Sequence, residues 1–325
     1  MLAAMCRAYG PPESLTVEVV PDPVAGPGQA VVRIEAAAVN YPDLLLAADK
    51  YQISVPPPFA PGSEFAGVVE TVGEGVTAVA PGDRVRGGAM VGAFAQRIAV
   101  QATGLDKLPD GVELAAAAAF HVAHATAYHA LRSVGEVEPG QWVVVLGAAG
   151  GVGLAAVELA KVLGAKVLAA ASSPTKLAVC AQRGADALVD YTAEDLKDRI
   201  KVLTDGGADA VIDPVGGPWA EQALRATRWG GRFVTVGFAS GEIPRIPLNL
   251  VLLKGVVIKG FEIRTFAQYA PEKAARDTDE LHRLFAEGRV TPHISASYPL
   301  EETGAALRSL ADRTATGKVV ILPWE

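Results

Sequence analysis

With 325 residues, half of them hydrophobic, the chain exceeds the usual size of one domain and predicts two, each with apolar side chains enough for its own core. A formal charge of −7 argues against a broadly basic surface for nucleic acid or anionic membrane, and no stretch has the length of a membrane span free of charge and proline. Only Cys6 and Cys180 occur, so there is no disulfide framework; MLAAMCRAYGPPESL lacks the unbroken apolar core of a signal peptide, and a cytoplasmic protein is expected.

Residues 1 to about 110 hold short β-like runs: Leu15 to Val20, Ala30 to Val39, Phe65 to Val72, Arg84 to Gly87 and Phe94 to Val100. Gly26-Pro27-Gly28 and Ala80-Pro81-Gly82-Asp83 are turn chemistry between them, and so many short strands predict a compact, barrel-like domain. From Glu113 to Val134 the pattern turns helical and alanine-rich.

From Trp142 strands and helices alternate. The strands expected are Val143 to Leu146, Val167 to Ala170, Ala187 to Val189, Ala210 to Asp213, Phe233 to Val236 and Val256 to Phe261. Helices follow the first four, one of them opening at Thr192 with Asp195 in capping-box position. Six such strands predict a doubly wound parallel sheet, whose ligands sit beyond the carboxyl ends of the strands. The tail, Pro271 to Glu325, reads helix, strand, helix and a final strand Val319 to Leu322, and is expected to rejoin the first domain.

The richest stretch is WVVVLGAAGGVGLAAVELAKVLGAKVLAAASSPTK, residues 142–176. Its first apolar run breaks into Gly147, Gly150, Gly151 and Gly153, and a helical pattern follows to Gly164. Such a turn lets backbone N–H groups at a helix N-terminus approach a pyrophosphate, although a GxGxxG fingerprint would need glycine where Ala148 stands. The second strand ends in Ala171, Ser172 and Ser173, followed by Pro174, Thr175 and Lys176. No acid is present to hold the ribose hydroxyls of NAD, whereas hydroxyls and a lysine suit the 2′-phosphate of NADPH. Ser173 also fits as a helix cap with Pro174 at the first position, and one helix end can serve both purposes.

Several motifs carry a resemblance: VNYPDLLLAADKY (39–51), PGSEFAGVVETVGEGV (61–76), PGDRV (81–85), ATAYHAL (125–131), AAGGVG (148–153) and TGKVVIL (316–322). On these the chain resembles, over its full length, the zinc-free NADPH:quinone oxidoreductase family that includes zeta-crystallin, within the medium-chain dehydrogenase/reductase superfamily. Alanine at the first fingerprint glycine is typical of that family. The resemblance implies an α/β protein with a GroES-like β-barrel domain, 1–122 completed by 266–325, and a Rossmann NADPH-binding domain, 123–265. It also implies a homodimer joined through the Rossmann sheets, and no nucleic-acid or membrane partner is expected.

The activity implied is NADPH-dependent reduction of a small-molecule quinone or enone by hydride transfer. An enoyl-CoA or acrylate-type double-bond reductase is the alternative with the same cofactor. An NADPH-binding structural or regulatory protein with little catalysis is the alternative of another class. Zinc alcohol dehydrogenases share the fold, but their catalytic cysteine would fall at Asn40 and their histidine at Ser63, in Gly62-Ser63-Glu64, and no metal is expected. His121, His124 and His129 are the one other grouping, with no carboxylate or cysteine placed to complete a site.

By the same resemblance, Asn40, Asp43 and Tyr51 line the nicotinamide and substrate end of the site. Tyr51 matches the tyrosine proposed as proton donor in related enoyl-thioester reductases. Thr126, Gly150, Gly151, Val152, Gly237, Phe238 and Ser240 fall along the dinucleotide, with Ser172, Ser173, Lys176, Tyr191 and Arg313 at the 2′-phosphate. Arg264, in GFEIRTF, is expected either to pair with a substrate carboxylate or coenzyme A phosphate or to form an interface salt bridge.

Overall fold

The computed structural model describes residues 1–325. Two strands, β1 (Leu2–Met5) and β2 (Thr16–Val19), pair as a separate antiparallel ribbon. Then come β3 (Gln29–Val39), helix α1 (Tyr41–Ala47), β4 (Glu64–Val72), β5 (Arg84–Gly88), β6 (Arg97–Gln101) and β7 (Leu105–Lys107). Strand β3 is bulged twice against β4, between Val31 and Val32 and between Ile34 and Ala36, which bends it and increases the local twist. Helix α2 (Leu114–His129) runs into a π-helical turn over 130–134.

The next segment holds β8 (Trp142–Leu146), α3 (Gly151–Val162), β9 (Lys166–Ala171), α4 (Pro174–Gln182), β10 (Ala187–Asp190) and α5 (Leu196–Leu203). It continues with β11 (Ala208–Asp213), α6 (Pro218–Arg225), β12 (Thr227–Thr235), α7 (Leu248–Lys254) and β13 (Val257–Gly260). These six strands are parallel in the order β10-β9-β8-β11-β12-β13, which places the reversal of winding between β8 and β11. Central strands read as unbroken apolar runs because both faces are covered: Val143 to Leu146 and Val167 to Ala170 are fully buried. The chain ends with α8 (Ile263–Tyr269), α9 (Pro271–Ala286), β14 (Ile294–Pro299), α10 (Thr303–Ala311) and β15 (Lys318–Leu322).

Two compact units result, Met1–Val122 with Ile294–Glu325, and Ala123–His293. In the first, the mainly antiparallel sheet runs β14-β15-β3-β4-β5-β7, with β6 also on β3. One edge of β3 is thus shared, residues 29–33 with β6 and 37–39 with β15. The sheet curls around a core that includes Ile34, Phe65, Val85, Phe94, Leu307 and Ile321.

The tail returns to the first unit at Ile294 and not at 266. The reason is polar: buried Asp277 of α9 accepts from Ser133 Oγ at 2.6 Å and pairs with His129 Nδ1 at 3.2 Å, which fastens α9 to the second unit. A second correction concerns α5, which opens one turn later than expected. Asp195 itself is the cap, accepting from the Asp198 N–H at 2.8 Å, while Thr192 is held in a turn by Asp190. Strand β6 begins at Arg97, leaving Phe94 in the preceding loop, and β1 and β7 are strands in addition to the runs expected. No helix is long and apolar enough to cross a membrane.

Candidate active site

The glycine turn sits at the carboxyl end of β8. Gly147 takes the left-handed φ of +56° that the sharp turn needs, so Ala148 can follow it, fully buried, without the fingerprint glycine. Gly153 provides close packing of α3 on the strand end, since a Cβ there would lie 2.3 Å from the Gly147 carbonyl oxygen. Gly150 is different. It caps α3 in an extended conformation any residue can adopt, and a Cβ on it would meet nothing closer than 3.5 Å. The fold therefore has no need of glycine at 150; an absent side chain there keeps the amides at the head of α3, with Gly151 and Val152, open to an anion.

At the end of β9, Ser173 caps α4 by accepting from the Lys176 N–H at 3.4 Å, with Pro174 at the first position. Lys176 Nζ turns back to the Ser172 hydroxyl at 3.0 Å. Two hydroxyls and an ammonium thus converge where an NAD-binding fold places a carboxylate. Tyr191, just past β10, packs its ring on Trp219 at 4.5 Å between centroids. Gly237, Phe238 and Ser240 follow β12, and the Ser240 hydroxyl and the Glu242 backbone close that turn on each other. Thr126 lies half-buried on α2, and Arg313 follows α10 in the first unit with a φ of +57°.

The strand ends bring in a residue that sequence reasoning missed. Asp213, fully buried at the end of β11, accepts from the Val215 and Gly216 N–H groups at 2.8 Å each through Oδ1. Its Oδ2 has no hydrogen-bond partner, and burial raises the carboxyl pKa above its ordinary value. An acid closing the apolar run AVID immediately before Pro214 is the signal that marks it.

In the first unit, Asn40 stands at the junction of β3 and α1, where the Asp43 carboxylate closes the helix start by accepting from the Asn40 N–H at 2.8 Å. The Asn40 side chain reaches two charged residues: Oδ1 accepts from Lys318 Nζ at 2.5 Å and Nδ2 donates to Glu64 Oε1 at 2.9 Å. Lys318 Nζ also donates to Glu64 Oε1 at 2.8 Å and to the Val39 carbonyl at 3.2 Å, while Glu64 Oε2 accepts from the Val122 N–H at 2.8 Å. Lys318 is 4% exposed and Glu64 1%, so water screens this pair little.

Asp43 is fully buried and its Oδ1 makes no hydrogen bond of normal geometry. Burial is the main cause that pushes its carboxyl up to about 7; the Asn40 N–H, the Lys318 charge and the Ser63 hydroxyl pull it down, and the Glu64 charge adds to the rise. Sequence reasoning found Asn40 and Asp43 but not Glu64 or Lys318 as their partners. A lysine opening the apolar run KVVIL and a glutamate before FAGVV were the available signals. Tyr51 follows α1 in the same unit, half-buried.

The residues do not suit zinc. Asn40 and Ser63 offer a carboxamide and a hydroxyl in place of thiolate and imidazole, and the positive charge beside Glu64 is supplied by Lys318. Nowhere do three or more His, Cys, Asp or Glu side chains form a ligating group. His124 faces Glu158 at 3.5 Å and His129 pairs with Asp277, so the histidines of α2 are drawn to different partners. Arg264 pairs with Glu262 at 2.9 Å at the start of α8.

A family description, alcohol dehydrogenase GroES-like domain, matches residues 26–110, and another, zinc-binding dehydrogenase, matches 151–278. The chain is 38% identical over 98% of its length, and 88% of the relative's, to a quinone oxidoreductase-like protein 2 homolog of Nematostella vectensis. Among solved structures it resembles the quinone oxidoreductase of Thermus thermophilus, studied alone and with NADPH (34% identity, TM-score 0.86, 99% and 100% of the two chains). It likewise resembles that of Escherichia coli complexed with NADPH (28% identity, TM-score 0.91, 99% and 100% coverage). With both domain types matched and full-length similarity above 30%, the chain belongs to the quinone oxidoreductase family of the medium-chain dehydrogenase/reductase superfamily and is an oxidoreductase.

Proposed function

We propose that this protein reduces quinones and related conjugated carbonyls with NADPH, without a metal ion. The observation that carries the cofactor choice is the Ser172, Ser173 and Lys176 cluster at the end of β9, with no acid among them. Gly151 and Val152 present the first-turn amides of α3 to the pyrophosphate, Gly150 leaves room for it while its own N–H donates to the Gly147 carbonyl, and the 2′-phosphate is held by the β9 cluster, with Tyr191 and Arg313. Thr126, Gly237, Phe238 and Ser240 line the rest of the nucleotide.

Bound NADPH supplies the hydride from its nicotinamide ring. The chain's own residues handle the acceptor oxygen: Asn40 donates to it, Tyr51 is the proton donor, and Asp43, poised near 7, holds a proton beneath Asn40. An acceptor that is already electrophilic needs no stronger Lewis acid than these groups. Zinc independence rests on the donor types at Asn40 and Ser63.

Assembly as a homodimer belongs to this reading. Strand β13 pairs only with β12, leaving its other edge open, and its Val257 and Ile258, on opposite faces of the sheet, are 45% and 41% exposed. Trp229, 82% exposed, lies against Gly255, and Leu252 is 81% exposed nearby in sequence. An open apolar sheet edge is the feature a second copy of the chain covers. Buried thiols at Cys6 and Cys180 are in keeping with a reducing, cytoplasmic setting.

The test is consumption of NADPH and of NADH with benzoquinone, phenanthrenequinone and crotonyl-CoA, beside a metal analysis of the active protein. A higher kcat/KM with NADPH and turnover of the quinones are expected. Preference for NADH, turnover of the thioester alone, or stoichiometric zinc each overturns the corresponding part.

A further inference from the structure

The buried pair beneath Asn40 does more than neutralise charge. The Lys318 ammonium has three N–H donors, and all three are committed: to Asn40 Oδ1, to Glu64 Oε1 and to the Val39 carbonyl. Opposite it, Glu64 Oε1 takes one proton of Asn40 Nδ2. Rotating the carboxamide by half a turn would set its NH2 against the ammonium and its oxygen against the carboxylate, so a single orientation is allowed. In that orientation the second Nδ2 proton has only Ser63 Oγ at 3.4 Å and the Ala38 carbonyl at 3.5 Å, both at the outer limit of hydrogen bonding. A cation on an amide oxygen draws electron density from the nitrogen and strengthens the N–H as a donor.

We propose that Lys318, opposed by Glu64, is a positioning residue for the reaction: it locks the Asn40 carboxamide and sharpens its remaining N–H for the acceptor oxygen. The inference deepens the functional reading and rests on Asn40 serving the acceptor. Asp43 reports on the same clamp. The groups facing it are the Asn40 N–H, the Ser63 hydroxyl, the Glu64 carboxylate and the Lys318 ammonium, with Arg86 acting on Glu64 from β5. The lysine charge lowers the Asp43 titration and the glutamate charge raises it.

The experiment compares Lys318→Met, Lys318→Arg, Glu64→Gln and the double variant Lys318→Met/Glu64→Gln, which removes both members of the ion pair together. Three quantities are read: kcat and KM with benzoquinone, Kd for NADPH, and the carbon-13 carboxyl titration of Asp43 in cofactor-free protein. Lys318→Met is expected to lower kcat roughly 10–100-fold with Kd within about threefold, and Lys318→Arg to recover most of the loss. The Asp43 titration moves up in Lys318→Met and down in Glu64→Gln. In the double variant it returns toward the wild-type value while kcat stays low, so the double variant carries the test if the single lysine change does not fold. Unchanged kcat in the folded lysine variant or in the double variant, or titration shifts of one sign in both single variants, overturns the proposal. A wild type inactive with conjugated carbonyls would instead strike the functional reading, while the Asp43 shifts would still report the clamp.

Discussion

Lys176 Nζ donates to the Ser172 hydroxyl at 3.0 Å, four residues back along the chain, and holds a positive charge at the end of β9. Removing it should therefore act on one nucleotide and not the other. A charge-assisted contact to phosphate contributes about 1.5–3 kcal/mol, so Lys176→Ala should lose roughly 10–100-fold in kcat/KM with NADPH and little with NADH. Parallel kinetics with the two nucleotides check it; equal losses would remove Lys176 from the 2′-phosphate.

Gly150 and Gly153, three residues apart, should respond in opposite ways to the same added methyl. Gly153→Ala forces a Cβ to 2.3 Å from a backbone oxygen and should cost about 1–3 kcal/mol of stability. Gly150→Ala meets nothing closer than 3.5 Å and should stay within about 0.5 kcal/mol of wild type, yet weaken NADPH binding at least about tenfold. Thermal melts and nucleotide titration separate the two effects.

The Asp43 carboxyl gives stability a definite pH dependence. Its native value, pushed up to about 7 from 3.8, means that the folded protein binds this proton more tightly than the unfolded chain. The stabilisation is complete below 3.8 and is lost as pH rises through about 7. Glu18 and Glu262, both held near 2, act with the opposite sign and only at more acid pH. Wild type should lose more of its Tm than Asp43→Asn between about pH 5 and about pH 8. Parallel melting curves for the two would refute the assignment.

The β13 edge should be sensitive to charge. Ile258→Lys or Leu252→Lys places an ammonium on the edge strand or on α7, and should shift sedimentation from dimer to monomer with the far-ultraviolet circular dichroism unchanged. A wild type that sediments as a monomer would dispose of the edge as an interface.

Tyr51→Phe removes one hydroxyl. If that hydroxyl donates the product proton, kcat should fall roughly 10²–10⁴-fold with NADPH affinity retained. Unchanged turnover with both a quinone and an enone would take Tyr51 out of the chemistry.

Local rules in the sequence determined a good deal here. The unbroken apolar runs after Trp142, each bounded by glycine turns and helical stretches, read as strands covered on both faces, and they form the six-stranded parallel sheet. Ser173 caps α4 as its type and its neighbour Pro174 foretold. These features act over three or four residues, within reach of pattern. What tertiary structure alone decided is long-range: Lys318 meets Asn40 and Glu64 across more than 250 residues of chain, and Asp277 meets Ser133 and His129 across more than 140. A buried charge must find its partner wherever the fold brings one, and no spacing rule encodes that. The late return of the chain at Ile294 and the clamp on Asn40 both follow from such pairs.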